Sequence, residues 1–197
     1  MTGKNKDLPE LGGDSPSLSS SRRNVMKGAA GLILAQMAGG LSWVTPAAAV
    51  AAGARPRMLT ATEAAWLGGL GEAIAPPSRA GGLVPYVDHH LTVPYGESLL
   101  ALRYLEIEPP YVGFYRSALG SLARGFGEAP PPSGDARWAD MLKALGEGSV
   151  EGWQGPPPPL FLFAIRLDAI DIAYGTRAAF ARLGVDYLPH VEPETDW

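Results

Sequence analysis

The segment Leu160–Gly175, LFLFAIRLDAIDIAYG, is the longest apolar run after residue 50. Its length exceeds that of a typical strand and fits a helix. Apolar residues recur every three or four positions, which places them on two neighbouring stripes of one helix. One stripe holds Leu160, Phe163, Leu167, Ile170 and Tyr174, and the other holds Leu162, Ile165, Ala169 and Ile172. A helix that is apolar over most of its circumference belongs inside a domain, so this segment predicts a central core helix.

Other helical segments with clear start and stop signals surround this one. A capping box at Thr60–Glu63 begins a predicted helix that ends near Ile74, before two prolines. Glycines inside this helix predict close packing against another helix. Further helices are predicted at Leu83–Val93, Glu97–Leu105, Tyr111–Phe126, Asp135–Gly146 and Arg177–Leu183. No strand pattern of convincing length occurs, so we predict an all-α, small irregular helical domain.

The connections and the C-terminus complete this prediction. The chain contains 25 glycines and 19 prolines, which predict long Gly/Pro-rich loops between the helices. The last segment, Val185–Trp197 (VDYLPHVEPETDW), has no period and is rich in aromatic residues and proline. Such a sequence packs poorly as a regular element, so we predict an extended C-terminal tail that lies along a surface.

Composition excludes several classes of function. A length of 197 residues favours one domain, and a formal charge of −4 with no basic patch beyond the N-terminal region argues against a nucleic-acid partner. The absence of cysteine excludes disulfides, thiolate nucleophiles, iron–sulfur clusters and thioether-linked haem. The three histidines are few for a self-contained metal site.

The N-terminal region has the parts of an export signal in the correct order. Met1–Ser20 is polar and is predicted to be disordered. The next residues, SRRNVMK, resemble a twin-arginine signal that contains Arg22 and Arg23. A moderately apolar segment, Gly28–Val44, follows and leads to a small-residue site with predicted cleavage after Ala49.

This pattern divides the chain into two parts. Residues 1–49 are predicted to be a disordered N-region with a twin-arginine signal peptide, and residues 50–197 a single helical domain. An uncleaved N-terminal anchor is the alternative, although the apolar segment is short for a membrane span. The twin-arginine pathway exports folded proteins, often with a cofactor or a partner that carries one. Since this chain has few groups to hold a cofactor, the signal indicates a partner and a periplasmic location.

Several motifs resemble the gluconate 2-dehydrogenase subunit 3 family. Glu72–Pro77 (EAIAPP) and Ala80–Asp88 (AGGLVPYVD) are similar to the family's E-A-I-I-P-like segment, spacer and Y-I/V-D helix. Phe161–Gly175 is similar to its aromatic-led helix ending in Y-G, and Arg182–Val191 to the tail of some members. The likeness covers roughly residues 58–197. The helical stretch Thr176–Leu183 departs from the gluconate pattern, so the resemblance does not identify the substrate of the complex.

The resemblance implies a small, cofactor-free and non-catalytic subunit. Its partner would be a large FAD-dependent dehydrogenase of the glucose–methanol–choline type, often with a multihaem cytochrome c subunit that carries haem c. The small subunit would bind the large one in the cytoplasm, assist its maturation and stability, and carry it through the twin-arginine machinery. Because aromatic anchors are favoured at interfaces, the candidate contact residues are Tyr174, Tyr187, Leu188, His190 and Trp197.

Two other classes remain open from the residues alone: a free-standing periplasmic helical enzyme and a ligand-binding protein. An enzyme would use Asp88, His89, Asp168 or Asp171. Asp168 and Asp171 lie three residues apart on one helix face and could perform acid–base chemistry, but we expect them to face solvent or to bind an arginine. The adjacent histidines of Asp88–His90 point about 100° apart in a helix, which makes joint chelation of a metal unfavourable.

Overall fold

The computed structural model describes residues 31–186, in which it shows a mainly helical domain with one small sheet. The helices are α1 (Pro46–Ala51), α2 (Ala61–Ile74), α3 (Ser78–Gly81), α4 (Leu83–His90), α5 (Ala101–Tyr104), α6 (Tyr111–Phe126), α7 (Arg137–Glu147), α8 (Pro158–Tyr174) and α9 (Arg177–Leu183). A 3₁₀ turn, Tyr95–Glu97, precedes α5. The predicted small helical domain is confirmed.

Helix α8 is the centre of the domain, as the sequence predicts. It begins with prolines in its first turn, where their missing N–H groups cost nothing, and contacts α2 to α7 and α9. The stripe that contains Leu162, Ile165, Ala169 and Ile172 is buried, together with Phe161 and Ala164. The other predicted stripe is not buried, so α8 is a core helix over only part of its circumference.

Helix α2 packs closely against its neighbours through its glycines, which confirms that prediction. A Cβ atom on Gly69 would lie 3.0 Å from the ring of Trp138, and one on Gly71 would collide with Leu83. The predicted capping box is also present, because the N–H of Thr60 donates to Glu63 and the N–H of Glu63 donates to Oγ1 of Thr60. Glycine therefore allows α2 to approach α4 and α7 at short range.

The N-terminal part of the described chain differs from the sequence prediction, because it contains two strands. Strands β1 (Ile33–Met37) and β2 (Gly40–Val44) pair antiparallel as a hairpin, with Met37 opposite Gly40. The missed signal is the pair of glycines between two short apolar runs, of which Gly39 lies in the turn after Ala38 and Gly40, with a positive φ of 118°, begins β2. The short helix α1 follows at once, capped by Thr45 and opened by Pro46.

Two predicted helices are shorter than expected. The segment predicted at Leu83–Val93 ends at His90, and the segment predicted at Glu97–Leu105 forms only the 3₁₀ turn and the single helical turn of α5. Pro94 separates them, since a proline disfavours helical backbone in the residue before it. Among residues 31–186, no helix is both long and apolar enough to cross a membrane.

Candidate functional site

The exposed stripe of α8 is the main candidate site. Phe163, Leu167, Ile170 and Tyr174 keep between 38% and 46% of their surface exposed. They follow one another at steps of three and four residues, so together they cover roughly 16 Å of the helix. Single exposed apolar residues are ordinary on protein surfaces, but a continuous row of large ones marks an interaction surface.

A shallow groove borders this stripe. It has a volume of about 360 Å³, and its lining residues are Leu99, Ala101, Tyr104, Leu167, Asp168, Ile170 and Asp171. Tyr104 is 67% exposed, and the guanidinium of Arg103 lies 5.7 Å from the centre of its ring. The sequence pattern does not identify Leu99 or Tyr104, because the continuous helix that it predicts at Glu97–Leu105 is not formed.

Asp168 lies at the base of the groove and is buried, so the expectation that it faces solvent or an arginine is wrong. Its Oδ1 accepts a hydrogen bond of 2.8 Å from the N–H of Ala101, and its Oδ2 accepts one of 2.9 Å from the hydroxyl of Tyr115. Burial raises the pKa of Asp168 to about 7, although these two hydrogen bonds oppose the shift. The carboxyl group therefore joins α8 to the first residue of α5 and to α6.

Asp171 lies on the exposed side, as expected for an acidic residue in the middle of a helix. Partial burial raises its pKa above the ordinary value. One turn of helix therefore carries two carboxyl groups with different environments: the inner one is fully hydrogen-bonded within the domain, and the outer one borders the groove. Asp171 is the more accessible of the two carboxyl groups to a molecule that approaches the stripe.

Asp88 is also hydrogen-bonded within the domain. Its carboxylate accepts hydrogen bonds from three successive backbone N–H groups, those of Arg57, Met58 and Leu59, at 2.7–2.9 Å. The carboxylate thus holds the segment before α2 against α4. Because three donors use its oxygens, Asp88 is poorly placed to act as a base or a metal ligand. Within residues 31–186, no group of three or more His, Asp or Glu side chains could hold a metal ion.

The two adjacent histidines contact different elements. Nδ1 of His89 accepts a hydrogen bond of 3.2 Å from the N–H of Leu34 in β1, whereas Nδ1 of His90 accepts a long one of 3.4 Å from the N–H of Leu99. Burial lowers the pKa of both imidazoles, that of His90 to about 3. Both rings are therefore neutral at pH 7, and each acts as an acceptor for a separate segment of backbone.

The remaining predicted site residues divide into two groups. Tyr174 belongs to the exposed stripe, and its hydroxyl donates a hydrogen bond of 3.1 Å to the carbonyl oxygen of Pro76. Ala49, the predicted cleavage site, is fully buried in α1. The others lie outside the described residues, and they are Arg22, Arg23, Tyr187, Leu188, His190 and Trp197.

Comparison of the chain with protein-family models, with curated proteins and with solved structures gives no match. The surface of α8, the groove beside it and the motifs of the sequence are therefore the features that bear on function.

Proposed function

We propose that this chain is the non-catalytic small subunit of a periplasmic, FAD-dependent dehydrogenase complex whose large subunit is of the glucose–methanol–choline type. It binds the large flavoprotein subunit in the cytoplasm, supports its maturation and stability, and is exported with it by the twin-arginine pathway. The observation that carries this proposal is the row of large apolar side chains on the outer face of α8. The sequence resemblance supplies the class of partner.

The outer stripe supports a binding role because the domain does not use it for its own core. The buried stripe is part of the core of the domain, while the outer stripe remains half-exposed along most of the same helix. Covering large apolar and aromatic side chains with a partner is favourable, and such residues dominate the energetics of interfaces. Phe163 and Tyr174 at the two ends are the aromatic anchors of the proposed surface.

In this proposal the chemistry belongs to the partners. FAD is held by the large subunit, haem c by a cytochrome subunit where one is present, and electrons pass between them without entering this chain. The acidic and histidine side chains of this chain support that division. Asp88, His89 and Asp168 each accept hydrogen bonds from backbone or tyrosine groups of the same domain. These contacts favour a structural role over acid–base chemistry.

A free-standing periplasmic enzyme or ligand-binding protein is the second candidate. The groove between α5 and α8 favours it, because Asp168, whose pKa is near 7, contributes to its lining. A carboxyl group with such a pKa can exchange a proton at neutral pH. This candidate predicts that the purified chain binds or converts a small molecule by itself, whereas the subunit proposal predicts activity only in the complex.

Binding is tested by producing the chain together with the glucose–methanol–choline flavoprotein encoded nearest to it, with an affinity tag on the flavoprotein. We expect Ile170→Glu to lower co-recovery at least tenfold, because it places a charge in the centre of the stripe. Leu41→Glu is the matched control, since Leu41 is an apolar residue on the hairpin that is 51% exposed, against 43% for Ile170. Failure of the unmodified chain to bind the flavoprotein, or activity of the purified chain alone, would overturn the proposal.

Export is tested separately by replacing both Arg22 and Arg23 with lysine. The proposed joint export predicts that the flavoprotein, which has no export signal of its own in this scheme, then remains in the cytoplasm. Fractionation followed by detection of both chains gives the result. Normal appearance of the flavoprotein in the periplasm would contradict joint export while leaving the binding result intact.

A further inference from the structure

The predicted cleavage site lies inside the folded domain. Ala49 and Pro46 are both buried in α1. Gly82, between α3 and α4, has a positive φ of 98°, and a Cβ atom there would collide with the backbone of Pro46. Helix α1 therefore packs against the domain at Gly82, where only glycine leaves room for the backbone of Pro46. Such a close contact is typical of a segment that belongs to the fold.

The hairpin before α1 has specific contacts with the same part of the domain. Ile33 is 1% exposed, and the N–H of Leu34 donates to Nδ1 of His89. The backbone oxygen of Gln36 accepts a hydrogen bond of 3.0 Å from the N–H of Arg55, a residue beyond the predicted cleavage site. Hydrogen bonds and buried side chains thus connect the predicted leader to α4 and to the segment that follows α1.

The backbone around Ala49 is unsuited to cleavage. A peptidase that removes a leader must bind the chain in an extended form and reach the carbonyl carbon of the residue before the cut. Here the N–H of Ala49 donates to Thr45, and its carbonyl oxygen accepts a hydrogen bond of 2.9 Å from the N–H of Ala54. A peptidase could therefore cut after Ala49 only if α1 first opened.

We propose that Ile33–Ala51 is a permanent part of the folded domain, so that the chain keeps these residues and is not cleaved after Ala49. The segment covers the outer side of α4 and supplies the donor for His89. Its loss would remove this hydrogen bond and would expose to water the apolar surface that Ile33 and Ala49 cover.

The proposal also constrains the export signal. Ile33–Val44 makes up most of the apolar segment that follows the arginine pair. The same residues cannot form the hairpin and lie in a membrane at one time. Export through this signal therefore requires the hairpin to open. A chain that keeps Ile33–Ala51 must then form the hairpin again after export.

A pair of matched variants of the full chain tests whether the hairpin is part of the fold. Ile33→Asp places a charge at a buried position, and Leu41→Asp places the same charge at an exposed position of the same hairpin. We expect Ile33→Asp to lower the melting temperature by roughly 5–15 °C, and Leu41→Asp to change it by less than about 2 °C. Equal and small effects of the two variants would overturn the proposal, since a detached leader responds equally to both.

The intact mass of the unmodified chain recovered from the periplasm gives the second test. We expect a mass that includes Ile33–Ala51, and an N-terminus at Val50 would overturn the proposal. If the chain is instead recovered only from the cytoplasm, the export part of the proposed function fails. The melting temperatures of the two hairpin variants then still decide whether the segment belongs to the domain.

Discussion

The two stripes of α8 have similar composition and opposite surroundings. Both contain leucine and isoleucine at helical spacing, yet the residues of one stripe are buried inside the domain and those of the other border solvent. The difference shows that apolar periodicity identifies a helix and its stripes, while the neighbouring elements decide which stripe becomes core. The outer stripe is thus available for a second layer of contacts.

The largest expected effect is the difference in stability lost when one isoleucine from each stripe is replaced by alanine. Ile165 is fully buried and Ile170 is 43% exposed, and both are isoleucines of the same helix. We expect Ile165→Ala to lower the free energy of unfolding by about 3–4 kcal/mol, because it leaves a cavity in the core. Ile170→Ala should cost less than about 1 kcal/mol. Urea unfolding of the isolated chain measures both, and equal costs would show that the outer stripe is also part of the core.

The acidic pair on α8 provides a second comparison. Asp168→Ala should cost about 2–3 kcal/mol at pH 6, because the buried N–H of Ala101 and the hydroxyl of Tyr115 both lose their acceptor. Asp171→Ala changes an exposed side chain and should cost less than about 0.5 kcal/mol. Thermal unfolding distinguishes the two. A larger effect at Asp171 would contradict the assignment of Asp168 as the structural carboxyl group.

The pH dependence of stability tests the environment of Asp168. Its pKa is about 7 in the folded chain against a usual 3.8, so between these values the folded state holds a proton that the unfolded state releases. Its contribution is therefore fully present below pH 4 and is lost as the pH rises towards 7. Relative to Asp168→Asn, the unmodified chain should lose at most about 2 kcal/mol between pH 5 and 6.5.

The stability of the unmodified chain is compared with that of Asp168→Asn because the two buried histidines also make stability depend on pH. Burial lowers the pKa of His89 and His90, so their contribution is present above pH 6.5 and is lost as the pH falls. Their slope opposes that of Asp168 over the same interval. Subtracting the Asp168→Asn curve removes the histidine contribution, and a flat difference would show that the carboxyl group has an ordinary pKa.

Much of the fold follows from local patterns, while the site does not. Tyr111–Phe126 forms the helix that its apolar spacing predicts, and Thr60–Glu63 forms the predicted capping box of α2. Both signals lie within a single element, so the local sequence is sufficient to predict them. Asp168 could not be interpreted in this way. Its partners are Ala101 and Tyr115, which lie 67 and 53 residues away in the chain. An acidic residue within an apolar run is usually exposed, and only the tertiary structure supplies the two donors that bury it.

The hairpin was missed for a different reason. The segment Ile33–Ala51 carries two patterns at once: an apolar leader with a small-residue site, and two short apolar runs around Gly39–Gly40. The leader pattern explains every apolar residue of this segment. The turn signal therefore does not distinguish a hairpin from a leader until the burial of Ile33 and Ala49 is known. Overlapping signals are therefore resolved by packing and not by the local sequence.

The smallest expected effect concerns Tyr174, where the two roles of α8 meet. Its ring extends the outer stripe, while its hydroxyl donates to the carbonyl oxygen of Pro76 within the domain. Tyr174→Phe should lower the free energy of unfolding by only about 0.5–1 kcal/mol, because the hydrogen bond is partly exposed and the ring remains. Co-recovery with the flavoprotein should be unchanged. If binding falls while stability does not, the hydroxyl of Tyr174 contacts the partner and does not stabilise the domain. Tyr174 would then belong wholly to the interface.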